Sequence, residues 1–197
     1  MGLTVKTAAT EQPVSLAEAK LHLRVTHDSE NGYIAALIKA AINSTEDDTG
    51  RAWINRTLQM TLVAFPSGQA FELPRSPVSS TVDDTVITYI DPDGASQILA
   101  TTVYGVDTTP LVPIVYLKDG QSWPSTLGTE PSVVTVQFVA GYGATAVSVD
   151  PRAKQAILML VGLWFRERTP VSMGAMAKIP IAASALLDGL RIPKVAA

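Results

Sequence analysis

Residues 150–168 read DPRAKQAILMLVGLWFRER. Asp150 is a capping residue and Pro151 takes the first helical position, where its missing N–H costs nothing. Ala153, Ala156, Ile157, Leu160, Val161, Trp164 and Phe165 then recur at helical spacing as a buried stripe. Arg166-Glu167-Arg168 puts cations near the negative end of the helix, and Thr169-Pro170 stops it. What precedes this helix decides the fold. Residues 54–142 are dominated by Val, Thr, Ile and Tyr, with turn residues at short intervals, as in an antiparallel β region. The expected strands are Leu58–Phe65, Ala70–Leu73, Val86–Ile90, Ser96–Val106, Ile114–Leu117 and Val133–Ala140. Asp91-Pro92-Asp93-Gly94 is a turn between two of them, and Pro110 and Pro113 demote their neighbourhood to edge or loop.

On the other side of the β section the chain is again helical. Ser15 and Glu18 form an S-x-x-E capping box with Val14 as its staple, opening a short helix through Leu16, Ala19 and Leu23. Asp28 or Ser29 is the expected cap of the next helix. Tyr33, Ile34, Leu37, Ile38, Ala41, Ile42, Thr45, Ala52 and Trp53 follow at helical spacing, which predicts one long amphipathic helix. Near the C-terminus a further short helix is expected over Ala182–Leu190. The resulting fold class is α+β: a helical body from the two ends of the chain (residues 1–57 and 142–197) with a central antiparallel β insertion (58–141).

The chain has 197 residues and no cysteine, which excludes disulfides, thiolate metal sites, iron–sulfur clusters and a cysteine nucleophile. A net charge of -3 gives no global basic field for nucleic acid or anionic lipid. With 47% hydrophobic and only 17% charged residues, the chain is apolar enough to suggest surface buried against other chains. Met1–Thr10 lacks the apolar core of a signal peptide. The longest apolar run, Ala156–Phe165, is short of the roughly 20 residues a membrane helix needs. The default expectation is a soluble intracellular protein.

The sequence holds no G-x-S-x-G, H-E-x-x-H, P-loop or EF-hand pattern. Gly141-Tyr142-Gly143-Ala144-Thr145-Ala146 satisfies G-x-G-x-x-A, but the helix starts only near Asp150, too late for its amides to meet a pyrophosphate. It reads as a turn. His22 and His27 are the only histidines, and five apart across a helix end they do not make a metal pair. Asp83-Asp84 and Glu46-Asp47-Asp48 diverge in direction and read as solvated faces. Arg152, Lys154, Arg166 and Arg168 read as the wet side of one helix. No catalytic, cofactor or metal residue is assigned, and the expectation is that the protein is not an enzyme.

Two blocks carry a family resemblance. The first runs Pro13-Val14-Ser15-Leu16-Ala17-Glu18-Ala19-Lys20, His22-Leu23-Arg24-Val25, Ile34-Ala35-Ala36-Leu37-Ile38, Ala40-Ala41, Glu46 and Thr49-Gly50-Arg51. The second is Phe138-Val139-Ala140-Gly141-Tyr142-Gly143, Asp150-Pro151, Lys154-Gln155-Ala156-Ile157-Leu158 and Trp164-Phe165-Arg166-Glu167-Arg168. Together they resemble the head–tail connector (adaptor, or head-completion) proteins of long-tailed double-stranded DNA bacteriophages and gene-transfer particles. The resemblance implies a structural virion protein at the head–tail junction, assembled in the host cytoplasm. It implies a homo-oligomeric ring of twelve copies under the portal protein, extending the DNA channel with non-specific contact to double-stranded DNA. The ring would offer a docking surface to a head-closure or tail protein, with no membrane partner.

Carried over by position, the C-terminal segment becomes a portal-docking arm with Ile179, Ile181, Leu186, Leu187, Leu190, Arg191 and Ile192. The tail Val171–Ala197 is expected to be mobile alone and ordered on the portal. Trp53 and Trp164 are expected to anchor the helical body, while Arg51, Trp123 and Arg166 are candidates for inter-subunit contact. Rival readings are a tail-completion or tail-terminator ring, a small nucleotide-binding enzyme using the 141–146 turn, and a carbohydrate- or receptor-binding β module.

Overall fold

The capping box sets the first helical start. In the computed structural model, which describes residues 2–128, 131–167 and 180–192, Glu18 N donates to Ser15 Oγ at 3.2 Å and Ser15 N donates to Glu18 Oε2 at 2.7 Å. Two otherwise orphaned amides are thereby satisfied at once. In chain order the elements are β1 (Gly2–Thr7), α1 (Leu16–Leu23), α2 (Asn31–Thr49), β2 (Arg56–Leu62), β3 (Ala70–Glu72) and β4 (Thr85–Ile90). They continue with β5 (Ser96–Ile98), β6 (Tyr104–Asp107), β7 (Ile114–Leu117), β8 (Val134–Ala140), α3 (Pro151–Arg166) and α4 (Ile181–Leu187). Short 3-10 turns lie at Val82–Asp84, Ala146–Ser148 and Asp188–Leu190. The fold is α+β, and the chain divides into two units: residues 1–10 with 55–144, and residues 11–54 with those from 145 onward.

The first unit is all β. Five strands form an antiparallel sheet in the order β1-β2-β8-β4-β5, and three more form a second antiparallel sheet, β3-β7-β6. Register places Leu3, Met60, Val136 and Ile87 in one row across the larger sheet, with Val5, Leu58, Phe138 and Thr85 in the next. The inner members of both rows are fully or almost fully buried. The opposite face carries Thr4, Gln59, Gln137 and Val86, then Thr61, Thr135 and Thr88. This is the apolar-in, polar-out alternation of an antiparallel sheet with one covered face. Tyr104 of β6 is buried and its hydroxyl donates to the Thr85 carbonyl at 2.6 Å, tying the small sheet to the large one.

The strand expected over Ser96–Val106 is two strands in different sheets. Leu99 N donates to the Ile87 carbonyl, completing the β4–β5 hairpin, and a turn closed by Val103 N on the Ala100 carbonyl then redirects the chain. Gly105 of β6 lies under the Tyr116 ring of β7, where a Cβ would come within 2.6 Å of the ring. Gly2–Thr7, read from sequence as part of the helical body, pairs instead with β2, because Leu3 and Val5 alternate in step with Met60 and Leu58.

The second unit is helical. Its core is the stripe Ile34, Ile38, Ala41, Thr45 and Thr49 of α2 against Ala153, Ala156, Ile157, Leu160 and Val161 of α3. Val14 and Ala19, both at 0% exposure, seat α1, and α4 packs on α3 through Ala183 and Leu187. The long helix is shorter than its periodicity implied. Gly50, at φ 73°, turns left-handed and donates to the Glu46 carbonyl, so α2 ends at Thr49, and Ala52 and Trp53 are buried beyond it. Neither Asp28 nor Ser29 caps α2: the cap position is Glu30, which makes no side-chain cap bond. The Asp28 carboxylate is drawn instead to Lys20 Nζ at 2.6 Å and Asn31 Nδ2 at 3.1 Å. Residues 141–144 precede the Ala146–Ser148 turn, and α3 begins only at Pro151. Among the described residues, no helix is long and apolar enough to cross a membrane.

Candidate functional site

The end of α2 gathers most of the polar side chains that hold the helical unit. Once Gly50 reverses the chain, Trp53 N donates to Glu46 Oε1 at 2.9 Å, and Trp53 Nε1 donates to Thr45 Oγ1 at 2.9 Å. Thr49 Oγ1 donates to the Thr45 carbonyl at 2.7 Å. Trp53 is fully buried and anchors the unit as expected of it. Glu46 is 4% exposed, so it is no solvated carboxylate, contrary to the sequence reading. The reversal at Gly50 supplies the amide that satisfies it. A glutamate four positions before a left-handed glycine, with a tryptophan shortly after, is the signal that periodicity alone concealed.

Asp48, also read as solvated, pairs with Arg191 at 2.8 Å. Around that pair the described part of the C-terminal segment is fastened to the same helix end. Arg191 also donates to Ser184 Oγ at 2.8 Å and bonds Asp188. Ile192 N donates to the Thr49 carbonyl at 2.9 Å, and Arg51 Nε donates to the Leu190 carbonyl at 2.5 Å. Leu187 and Leu190 are buried, Leu186 and Ile192 half-buried, and Ile181 is 90% exposed. The segment expected to be mobile alone is thus packed over residues 180–192, because its apolar positions find α3 and its polar ones find α2. Ile179 lies outside the described residues. Arg51, expected to reach a neighbouring subunit, has its Nε engaged within the chain.

The remaining contact candidates lie elsewhere. Trp123 is half-buried in an aromatic cluster of the β unit, stacked on Phe65 with centroids 4.9 Å apart and tilted against Phe71 at 5.7 Å. Its Nε1 donates to the Gly68 carbonyl at 2.9 Å. Trp164 is half-buried, and its carbonyl accepts from the Tyr33 hydroxyl at 3.4 Å. The Arg166 side chain is 75% exposed and pairs with Glu167 at 3.4 Å. It stands at the lip of a cleft of about 520 Å³ whose lining includes Leu23, Met159, Leu163 and Phe165.

The titrating groups do not converge. Bonds from the Ser15 amide and hydroxyl hold the Glu18 carboxyl below its usual range. Arg152 does the same for Asp150, Gln97 for Asp91, the Thr109 amide for Asp107 and Lys20 for Asp28. Burial pushes the Tyr104 hydroxyl up. Each is a cap, a turn or a core tie rather than a poised acid or base. Among the described residues no three His, Asp or Glu side chains are grouped to hold a metal ion. What the arrangement offers is surface: a fastened C-terminal segment, an aromatic cluster and an apolar cleft.

Residues 13–100 match the family described as phage gp6-like head-tail connector protein. The connector family recognised in the two sequence blocks is the family whose description this span fits, and the span takes in the whole of the first block. Among curated proteins none matches. The fold recurs along the full chain in solved structures. A chain from the neck of an empty gene-transfer-agent particle, computed with C6 symmetry, has a TM-score of 0.82 at 24% identity, covering 100% of this chain and 98% of that one. A chain from the virion of a native particle of the same kind gives 0.81 at 23% identity, again covering 100% and 98%. One from the neck of the native particle, computed with C12 symmetry, gives 0.78 at 23% identity with the same coverage. At these identities the likeness is one of fold.

Proposed function

We propose that this chain is a structural head–tail adaptor that assembles as a ring beneath the portal of a phage-like particle, extends the DNA channel and presents a surface to the next neck or tail protein. The observation that most supports this reading is whole-length agreement of fold with a chain of a gene-transfer-agent neck, at a TM-score of 0.82 with 98% of that chain covered, joined to the connector match over residues 13–100. The physical character of the chain agrees. Its polar side chains are spent on caps, turns and inter-element ties, and its apolar composition suits a subunit that hides lateral surface against copies of itself. Head-to-tail contacts that close a ring need neither cofactor nor cysteine.

In this reading twelve copies form the ring, matching the C12 symmetry of one neck relative. The outward face of residues 180–192, with exposed Ile181, meets the portal, while Trp123 and Arg166 lie at contacts with other chains. The test is to mix the purified chain with portal rings from its own genome and image them by negative stain. A ring of added density on the portal, weakened when Ile181 is changed to Asp, is expected. Bare portals at micromolar chain concentration would refute the reading.

A further inference from the structure

We propose that the cleft beside the C-terminal half of α3 receives the Ala146–Ser148 turn of a neighbouring copy of this chain, so that the helical unit carries both halves of a head-to-tail contact. The inference rests on the ring reading above. From Ala156 to Phe165, α3 is apolar at every position except Gly162, a band wider than one core can use. Ala156, Ile157, Leu160 and Val161 fill the core. Met159, Leu163 and Phe165 stay half-exposed, and with Leu23, His22 and Arg166 they line much of a concave surface of about 520 Å³.

A convex apolar feature exists in the same unit. Val147 is 90% exposed on a 3-10 turn held in place by Ser148 N on the Thr145 carbonyl at 3.1 Å. Ala146 N on Glu11 Oε2 at 3.0 Å braces its other side. The turn is therefore presented already ordered, which lowers the entropic cost of docking it. The cleft is far larger than a valine side chain and would take the turn as a whole. Glu11 accompanies the knob, and Arg166 stands at the lip of the hole in an exposed pair with Glu167, a weak partner that the Glu11 carboxylate can replace.

Position allows the contact to run head-to-tail. Val147 precedes α3, and the cleft lies along its last two turns; Pro151 to Leu163 alone spans about 18 Å at 1.5 Å per residue. Two unlike patches at opposite ends of one helix suit a closing heterologous contact; a two-fold pair of copies would fill both patches reciprocally and stop the ladder below at the dimer.

The absence of cysteine makes the test clean. Portal rings carrying the full chain with Val147→Cys and Leu163→Cys are oxidised and run on a non-reducing gel. The two positions lie too far apart for a bond within one chain, since a disulfide needs Cα atoms within about 7 Å. The expected result is a ladder from dimer toward the full ring, absent when either cysteine stands alone. In parallel, Val147→Asp should lose the ring density while keeping the wild-type circular dichroism and melting midpoint, because the side chain is exposed in the single chain. Rings that persist in Val147→Asp and give no ladder would overturn the contact, leave the ring reading standing and assign the cleft to a different protein. No ring from the wild-type chain would refute the ring reading, and this contact with it.

Discussion

Truncating Leu187 to alanine tests how the C-terminal segment is held. α4 has seven residues, well below the length at which a helix persists on its own, so its order comes from what it touches. Leu187 is fully buried against the unit, and Leu→Ala at such a site costs about 2–5 kcal/mol. The segment is appended to a core that Ile38, Trp53, Ile157 and Leu160 already fill, so the loss should surface as local opening rather than as unfolding of the chain. In native-state hydrogen exchange, amides of residues 183–190 should lose protection by about thirtyfold or more, which is 2 kcal/mol at 1.4 kcal/mol per decade. Amides of α2 and α3 away from the contact should hold theirs. Asp48→Ala provides the contrast. Its pair with Arg191 is part-exposed on both sides, at 34% and 27%, and should be worth about 1 kcal/mol at most after solvent screening. Wild-type amides of 183–190 that exchange at the unfolded-chain rate, or a Leu187→Ala change of less than about twofold, would refute the reasoning.

Other expectations follow from single contacts. Ser15→Ala should destabilise by about 1 kcal/mol at neutral pH. The Glu18 carboxyl is held below its ordinary 4.5, so its share of the capping box is present in full above that value and is lost as pH falls through the lower folded value. The gap between wild type and Ser15→Ala in denaturant titrations should therefore narrow below pH 4.5 without vanishing, since Ser15 Oγ still accepts from the Glu18 amide; a constant gap down to pH 3 would contradict this. Gly50→Ala forces a left-handed backbone on a residue with a Cβ and should cost about 1–2 kcal/mol, read as a lower denaturant midpoint. Ile192 at 3.5 Å from that Cβ is ordinary contact and adds little. Phe138→Ala removes the ring between Leu58 and Thr85 at the centre of the large sheet and should cost the β unit about 3–5 kcal/mol, seen as faster exchange across β2, β8 and β4.

The helices and most strands were legible because their signals are local. Ser15 with Glu18, Asp150 with Pro151, and Asp91 through Gly94 each carry their geometry in a few residues. What stayed hidden depends on partners distant in sequence. Leu3 and Val5 look like any two exposed aliphatics until Met60 and Leu58 arrive beside them. The span from Ser96 onward reads as one strand because both halves are β-rich, and only pairing assigns one half to β4 and the other to β7. Glu46 and Asp48 sit in an acidic run whose members face different ways, and their partners, the Trp53 amide and Arg191, lie 7 and 143 positions away. The surfaces proposed for contact were least legible of all. A turn valine and a half-covered leucine on α3 are unremarkable in sequence and become a knob and a hole only when the helix spaces them.

The most direct test of the central claim is to delete the gene from the genome that encodes it and count particles by electron microscopy. The account predicts heads that carry portals but no tails, with tailed particles restored when the chain is supplied in trans. Tailed particles at wild-type frequency in the deletion would contradict it.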